Sequence, residues 1–238
     1  MKIISHSGGA GLGLQNTSSA IQASLNYDIA AIEIDVRYTR DGHAVLVHDH
    51  TTKEIADVAL NVHNSTLKEL KALTLKNGEH ILTLEEALKL IDNRAHVFLD
   101  LKDFSTARSL VQTLQKFPKT QFTLTGRIQH FIKGVAEECG EHVDFLAQSH
   151  FGQFEIIQTA LKNGAAGITL NFWILNPLTY HLAHRYKLRL CVYAVNSPTL
   201  IWFIQKFYPD VWVTTDHPDR FSRPKPHPRK RNLPANPS

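Results

Sequence analysis

The chain has 238 residues, of which 43% are hydrophobic and 20% are charged, with a formal net charge of +4. This composition excludes a disordered chain, and no apolar run approaches the roughly 18 residues that a membrane-spanning helix needs. The two cysteines lie far apart without metal-ligand spacing, so we expect neither a disulfide framework nor a cysteine-bound metal. The N-terminus lacks the apolar segment of a signal peptide, and we therefore expect a cytoplasmic protein.

Strand-like and helix-like segments alternate along the chain, which is typical of an α/β fold. Strands are predicted at residues 2–5, 31–36, 97–102, 122–125, 143–147, 167–170, 189–195 and 211–214. Helices are predicted at residues 17–26, after the capping box at 83–86, and at 105–116, 128–139, 154–162, 177–185 and 198–207. The strands are almost continuously apolar, as expected for parallel strands that are covered on both faces.

A ninth apolar run, residues 44–48, follows the second strand after only about seven residues. A parallel crossover needs roughly a dozen or more residues, and the link contains Asp41-Gly42, a hairpin signal. We therefore predict a (β/α)₈ TIM barrel with an extra antiparallel hairpin strand after strand 2. The hairpin would bring His48 close to Ile34 and Asp35, and the active site is expected at the carboxyl ends of the strands.

The barrel domain is predicted to occupy residues 1–220, followed by a basic, proline-rich tail at residues 221–238. The tail contains five prolines and five Lys or Arg residues without an acidic residue, and the rest of the chain is close to neutral. Such a segment is predicted to be disordered. Contact with an anionic surface or a nucleic acid is the alternative interpretation, but we favour a solvated end and expect no nucleic-acid partner.

Acidic residues lie within two of the apolar strands. Glu33 and Asp35 are two residues apart and therefore share one face of their strand, and Asp100 lies near the end of the next predicted parallel strand. Burying carboxylates is costly unless they are paired or bind a metal. Three oxygen donors suit one hard cation, Mg²⁺ or Ca²⁺, and a salt-bridge cluster with Lys102, Arg37 or a histidine is the alternative.

Two histidines are predicted at the same strand ends, His6 after the first strand and His48 at the end of the hairpin strand. Imidazoles can exchange protons near neutral pH, so this pair could serve as acid and base on a phosphate ester. Lys102 could hold a phosphate oxygen, serve as a charge partner of the carboxylates, or do both.

The glycine-rich residues 8–13 follow the first strand and invite comparison with a dinucleotide-binding loop. The fingerprint fails because Leu14 occupies its third glycine position. We interpret this segment as a flexible loop that brings backbone N–H groups near His6.

The order and spacing of these residues resemble the glycerophosphodiester phosphodiesterase family, part of the phosphatidylinositol-phospholipase-C-like barrels. The resemblance covers residues 3–218. It rests on short blocks, which are in chain order His6-Ser7-Gly8, Gln15-Asn16-Thr17, Glu33-Ile34-Asp35-Val36, Thr39-Arg40-Asp41-Gly42, His48-Asp49, Leu82-Thr83-Leu84-Glu85-Glu86, Asp100-Leu101-Lys102, Tyr193-Ala194-Val195-Asn196 and Thr215-Asp216-His217-Pro218. Each block is weak by itself, and their common order indicates the family.

The resemblance implies that His6 and His48 form the acid–base pair and that Lys102 contacts phosphate. It also implies one divalent cation, Mg²⁺ or Ca²⁺, with three ligands, namely Glu33, Asp35 and Asp100. The expected reaction cleaves a small-molecule glycerophosphodiester into glycerol 3-phosphate and an alcohol. The nucleophile is either water or the neighbouring glycerol hydroxyl, which would react via a cyclic phosphate.

The chain departs from the family pattern at several substrate-facing positions. The expected substrate-binding residues are Lys102, Ser7, Gln15, Tyr193 and Asn196. Ser7 replaces a phosphate-facing arginine and Gln15 replaces a glutamate, which we interpret as the joint loss of an ion pair. Tyr193 stands where the family has tryptophan, and Asp100 is one methylene shorter than the usual glutamate. These changes predict an altered substrate preference or a reduced rate.

Two other functions fit the same residues. A lysophospholipase-D or sphingomyelinase-D-like activity predicts an apolar patch at the barrel mouth, to which five residues could contribute, namely Leu12, Leu14, Phe172, Trp173 and Ile174. A catalytically weakened homologue that only binds phosphodiesters predicts tight binding without turnover. The retained histidines and carboxylates argue against this second alternative.

Overall fold

The computed structural model describes residues 1–103, 107–148 and 153–225. Its strands are β1 (Lys2–Ser5), β2 (Ala31–Tyr38), β3 (Ala44–Leu46), β4 (His96–Leu101), β5 (Phe122–Gly126), β6 (Val143–Gln148), β7 (Gly167–Asn171), β8 (Arg189–Tyr193) and β9 (Trp212–Thr215). Its α-helices are α1 (Ser18–Leu25), α2 (Leu67–Lys71), α3 (Leu84–Ile91), α4 (Ala107–Gln115), α5 (Gln129–Cys139), α6 (Gln153–Asn163), α7 (Pro177–Arg185) and α8 (Pro198–Phe207). Three-residue 3₁₀ turns follow β1, β7 and β9, at His6–Gly8, Phe172–Ile174 and Pro218–Arg220, respectively.

Eight of these strands form a closed parallel barrel. They pair in the order β1-β2-β4-β5-β6-β7-β8-β9, and β9 pairs with β1 to close the ring. Strand β3 lies outside the ring, antiparallel to β2, with Val36 opposite Leu46. The predicted TIM barrel and its extra hairpin strand are therefore confirmed, although β3 ends two residues before His48.

The main hydrophobic core fills the space between the barrel and the helices that surround it. Every residue of β2 is buried, as expected for a strand covered on both faces. A smaller cluster inside the barrel contains Ile4, Phe98 and Cys191, with Trp212 packed against it. The side chains predicted to form the site lie toward the carboxyl ends of the strands, the usual place for a barrel active site.

A segment between β3 and α3 forms a separate small core. Helix α2 within it was not predicted, because five residues are too few to show a helical period. Its first residue follows a capping box formed by Thr66 and Glu69. The other predicted helices are observed with ends shifted by at most one or two residues. For α4 the description begins at Ala107, so the first two residues of the predicted helix lie outside the described residues.

The beginning of the predicted tail lies against the barrel domain. Pro224 forms an antiparallel bridge with Tyr27, and the backbone N–H of Asp28 donates to the carbonyl of Arg223 at 2.8 Å. The remainder of the predicted tail, residues 226–238, lies outside the described residues. Among the helices described, none is long and apolar enough to cross a membrane.

Candidate active site

Three carboxylates meet where β2 and β4 run side by side. Asp35 lies opposite Asp100 in the parallel pairing, and Glu33 precedes Asp35 by two residues on the same face. One oxygen from each of Glu33, Asp35 and Asp100 can be chosen so that all three lie within 4.8 Å of one another. The two strands therefore bring together the three residues that were expected to bind a cation.

Asp35 is fully buried, and its two oxygens have different surroundings. Oδ2 accepts hydrogen bonds from the Ser7 hydroxyl at 2.8 Å and from Nδ2 of Asn16 at 2.7 Å. Oδ1 has no partner in hydrogen-bond geometry, although Nζ of Lys102 lies 2.9 Å away. Burial favours the neutral acid, but the Lys102 charge and the Asn16 hydrogen bond outweigh burial and lower the pKa of Asp35. Oδ1 of Asp35 therefore belongs to an ionised, buried carboxylate and lacks a hydrogen bond, which suits a ligand of a cation.

The pKa of Glu33 is shifted in the opposite direction from that of Asp35. Burial and then the negative charge of Asp35 raise the pKa of Glu33 well above its usual range. The backbone N–H of Ser7 donates to its Oε2 at 2.6 Å, which offsets only part of this effect. Glu33 and Asp35 are buried side by side, so the negative charge on one opposes ionisation of the other. A divalent cation bound between them would stabilise both as carboxylates.

Lys102 lies against the carboxylates. Its Nζ is 2.6 Å from Oδ2 of Asp100 and 2.9 Å from Oδ1 of Asp35. Burial lowers the pKa of Lys102, but the charges of these two aspartates outweigh burial and raise it above its usual range. Lys102 is therefore an ammonium that neutralises the cluster, and it also lines the cavity described below.

His6 is held by a carboxylate from the last strand of the barrel. Its Nδ1 lies 2.6 Å from Oδ1 of Asp216, whose pKa is lowered first by this hydrogen bond. An ionised Asp216 can only accept, so Nδ1 carries a proton and Nε2 is the ring nitrogen that can exchange a proton with a ligand. Nε2 lies 3.9 Å from Oε2 of Glu33. Burial lowers the pKa of His6, but Asp216 and the nearby carboxylates raise it to about 9.

Asn196 fixes the position of Asp216. Its Nδ2 donates to Oδ2 of Asp216 at 2.5 Å, and its Oδ1 accepts from the Asp216 backbone N–H at 2.9 Å. Asn196 was predicted to bind substrate; its observed contacts are with Asp216 and with the hydroxyl of Thr215, and it is not among the residues that line the cavity described below. Its observed contacts support His6 indirectly.

The glycine-rich loop packs against the same pair. The backbone N–H groups of Gly9 and Ala10 donate to the His6 carbonyl at 2.7 and 3.1 Å, and that of Gly11 donates to the Asp216 carbonyl at 2.9 Å. A Cβ on Gly11 would lie 2.5 Å from that carbonyl oxygen. The loop does lie beside His6, as predicted, but these N–H groups hold the backbone of His6 and Asp216 rather than facing open space.

His48 occupies another part of the site. Its Nδ1 lies 2.8 Å from Oδ1 of Asp49, and its backbone carbonyl accepts a 3.0 Å hydrogen bond from Nε of Arg37. Arg37 is buried and also donates to Oδ1 of Asp103 at 2.7 Å. The hairpin therefore delivers His48 as predicted, and a buried arginine from β2 fixes its backbone.

A cavity of about 560 Å³ collects these groups at the carboxyl ends of the strands. Its walls include His6, His48, Glu33, Asp100, Lys102 and Tyr193. Ser7 and Gln15, which were predicted to bind substrate, are not among its lining residues. Ser7 is fully buried with its hydroxyl on Asp35, because the left-handed backbone at this residue (φ 44°) turns the side chain toward the carboxylates.

Sequence reasoning missed the roles of Asp216, Arg37 and Asn16 in arranging the site. The alternation of Glu33 and Asp35 continues to Arg37, so the two-residue strand period could have placed Arg37 on the same inward face. Asn16 and Asp216 belong to family-like blocks, but nothing local indicates that they contact Asp35 and His6.

Four of the five residues predicted to form an apolar patch are only partly exposed, and Trp173 is the exception. Trp173, in the turn after β7, is 79% exposed and stacks on Phe172 with ring centroids 4.3 Å apart. Phe172 and Ile174 pack against the main core, and Leu14 packs against the smaller core between β3 and α3. Trp173 is therefore the one large apolar side chain of this set that is fully presented to solvent.

A closed (β/α)₈ barrel with histidines, carboxylates and a lysine at the carboxyl ends of its strands defines this chain as a barrel enzyme by fold and site. Residues 6–134, more than half of the chain, match the Glycerophosphoryl diester phosphodiesterase family. The chain therefore belongs to this family of phosphoric diester hydrolases.

Individual relatives agree with this membership. YhdW of Bacillus subtilis, provisionally named a glycerophosphodiester phosphodiesterase, is 24% identical over 92% of this chain and 96% of its own length. The glycerophosphodiester phosphodiesterase of Caldanaerobacter subterraneus is 32% identical over 99 residues, which are 39% of this chain and 41% of that protein. A phosphodiesterase from Oleispira antarctica, solved with sn-glycerol-3-phosphate, has a TM-score of 0.83 and 19% identity, covering 92% of this chain and 94% of that one.

Proposed function

We propose that this chain hydrolyses glycerophosphodiesters to glycerol 3-phosphate and an alcohol, with one bound divalent cation and two histidines. The observation that carries the proposal is the meeting of the three-carboxylate cluster with His6 and His48 in one cavity. The Oleispira relative that shares the fold was solved with the product of this reaction.

Glu33, Asp35 and Asp100 would hold the cation, Mg²⁺ or Ca²⁺. All three offer oxygen, which these hard cations prefer, and Asp35 keeps one buried oxygen outside any hydrogen bond. When bound, such a cation polarises a phosphoryl oxygen and offsets the charge that develops on it. Asp100 supplies a ligand in place of the family's glutamate, and its Oδ2 is already oriented by Lys102.

His6 and His48 would move the protons. Asp216 holds a proton on Nδ1 of His6, so Nε2 is the nitrogen that would exchange protons with the substrate, and the contact of His48 Nδ1 with Asp49 leaves Nε2 of His48 in the same position. One imidazole takes the proton of the nucleophile as its oxygen bonds to phosphorus. Water as the nucleophile gives glycerol 3-phosphate directly, whereas the neighbouring glycerol hydroxyl gives a cyclic phosphate that water must then open to glycerol 3-phosphate. The other gives a proton to the alcohol oxygen as its bond to phosphorus breaks.

Lys102 and Tyr193 would contact the substrate from the cavity wall. Lys102 is a point charge beside the carboxylates, suited to a phosphoryl oxygen once the cation shares the negative charge. The sequence predicts that Ser7 binds substrate. In the structure the Ser7 hydroxyl donates to Asp35, so Ser7 would instead orient a metal ligand.

The test incubates the wild type, His6→Ala and His48→Ala with a panel of glycerophosphodiesters. The glycerol 3-phosphate that each protein releases is measured by a chemical assay. The expected result is glycerol 3-phosphate from the wild type and a loss of at least about a hundredfold in each variant. Binding of the diesters without turnover would instead support a weakened, binding-only homologue.

A lysophospholipase-D-like activity is the second candidate, and exposed Trp173 beside the barrel mouth favours it. Trp173 could sit against an acyl chain or a lipid surface. Lysophosphatidylcholine therefore belongs in the same panel, with Trp173→Ala as the variant. A lysolipid rate that exceeds the rates on the acyl-free diesters and falls in Trp173→Ala would favour this second candidate.

A further inference from the structure

A second cavity, of about 700 Å³, opens beside the first at the barrel mouth. The two cavities share five lining residues, namely Arg37, His50, Leu101, Lys102 and Arg127. The second cavity therefore adjoins the site that holds the carboxylates and histidines. It offers room for a group attached to a phosphate bound in the first cavity.

We propose that this second cavity receives the leaving alcohol, and that it prefers an alcohol carrying hydroxyl or anionic groups over a cationic one. Arg127 would be the residue that sets this preference. The inference rests on the proposed function, because it names the alcohol side of the same phosphodiester. Glycerol and inositol belong to the preferred class, and choline belongs to the disfavoured one.

The charges that line the second cavity carry the argument. Arg37 is paired with Asp103, and Lys102 is paired with Asp35 and Asp100. Arg127, directly after β5, is exposed and has no hydrogen bond or ion pair to any described residue. Among the described residues it is therefore a cation without a partner, and at the junction of the two cavities it gives the second cavity an excess of positive charge.

Other polar groups of this cavity also present hydrogen-bond donors. Nη1 of Arg37 lies 3.2 Å from Nδ1 of His50, and because arginine can only donate, Nδ1 accepts and the His50 proton is on Nε2. Oδ1 of Asn61 accepts from the backbone N–H of Asn64 at 3.1 Å, which leaves the Asn61 NH₂ group for a ligand. Donors of this kind match hydroxyl, carboxylate or phosphate oxygens.

The described lining of the second cavity offers few groups that could bind a quaternary ammonium. Such cations are recognised by several aromatic faces or by carboxylates. Among the described lining residues, Asp103 is the only carboxylate, and Arg37 already contacts it. Phe131 is the only phenyl ring, and with Val62, Ile128 and Ile132 it forms an apolar wall that suits a carbon skeleton.

The experiment compares kcat/KM of the wild type on glycerophosphoglycerol, glycerophosphoinositol and glycerophosphocholine, at low ionic strength. We expect the first two to exceed the choline ester by on the order of tenfold. Arg127→Glu replaces the Arg127 cation with an anion and should reduce or reverse this ratio, and Arg127→Gln should give an intermediate ratio. Both changes are at an exposed position, and circular dichroism can check that the fold is kept.

Lys119→Glu is the matched control. It makes the same change of charge at an exposed residue just before the other end of β5, on the opposite face of the barrel. Its substrate ratio should equal that of the wild type. A choline preference in the wild type, or a ratio unmoved by Arg127→Glu, would overturn the inference while leaving hydrolysis itself intact. Absence of glycerol 3-phosphate from every ester would overturn the proposed function and the inference with it.

Discussion

Nδ1 of His6 donates a 2.6 Å hydrogen bond to Oδ1 of Asp216, joining residues 210 positions apart in the chain. The contact is possible because β9 pairs with β1, so that the residues following these two strands meet at one edge of the barrel. Asn196, just after β8, holds the other oxygen of Asp216. The closing strands of the barrel thus determine the orientation and tautomer of the histidine that follows the first strand.

Asp216→Asn should lower kcat by on the order of a hundredfold or more with little change in KM. An amide would no longer require a proton on Nδ1, and it would remove the negative charge that favours protonated His6. Steady-state kinetics on a glycerophosphodiester check this result. Asp219→Asn, the same chemical change at an exposed residue three positions later, is the control and should retain the wild-type rate. Equal rates for Asp216→Asn and the wild type would contradict the role assigned to Asp216.

Arg37→Lys should impair both stability and turnover. Lysine keeps the charge but cannot contact the His48 carbonyl, His50 and Asp103 together, as the guanidinium does. We expect a loss of about 1–3 kcal/mol in the free energy of unfolding, measured with urea, and about a tenfold fall in kcat. Arg40→Lys, at an exposed ion pair with Glu69, should change stability by less than about 0.5 kcal/mol. Similar effects of the two changes would mean that Arg37 does not position His48.

Cation binding should strengthen as pH rises across the neutral range. In the cation-free protein the pKa of Glu33 is raised, first by burial and then by Asp35, so Glu33 must release a proton when a cation binds. The folded protein then binds more protons than the unfolded chain, so cation-free stability falls as pH rises toward the raised pKa. The increase in Tm produced by Mg²⁺ or Ca²⁺ should therefore be larger at about pH 8 than at about pH 6.

Glu33→Gln provides the control for this pH dependence. Glutamine is close in size to glutamic acid but has no proton to release, so the increase in Tm should become smaller and much less dependent on pH. The same increase at both pH values in the wild type would contradict the proposed coupling of Glu33 protonation to cation binding.

Ser7→Ala should weaken cation binding by about tenfold, because the Ser7 hydroxyl supports Asp35, a proposed ligand. Isothermal titration with Mg²⁺ or Ca²⁺ measures the change directly. Ser5→Ala removes another buried hydroxyl of the same strand-end segment, one bonded to Ser24 and not to the carboxylates. Its cation affinity should be unchanged. Wild-type affinity in Ser7→Ala would show that this hydroxyl is not needed at the cation site.

Much of the site follows from strand patterns in the sequence. The two-residue spacing of Glu33 and Asp35 gave their common face, and the short link before β3 predicted the hairpin that delivers His48. The side chains of Ser7 and Asn196 could not be placed in this way, because their directions depend on a left-handed backbone and on a contact with Asp216. The contact between Asn196 and Asp216 depends on how distant strands align and close the barrel. The residues near each position in the sequence do not indicate that alignment.

We propose that two histidines hydrolyse the diester beside a cation that is held by Glu33, Asp35 and Asp100. The most direct measurement is the rate of glycerol 3-phosphate release after EDTA treatment, and again after Mg²⁺ or Ca²⁺ is restored, in the wild type, His6→Ala and His48→Ala. We predict that EDTA abolishes the wild-type rate, that the cation restores it, and that neither histidine variant recovers. A wild-type rate unaffected by EDTA, or full activity in both histidine variants, would contradict the account.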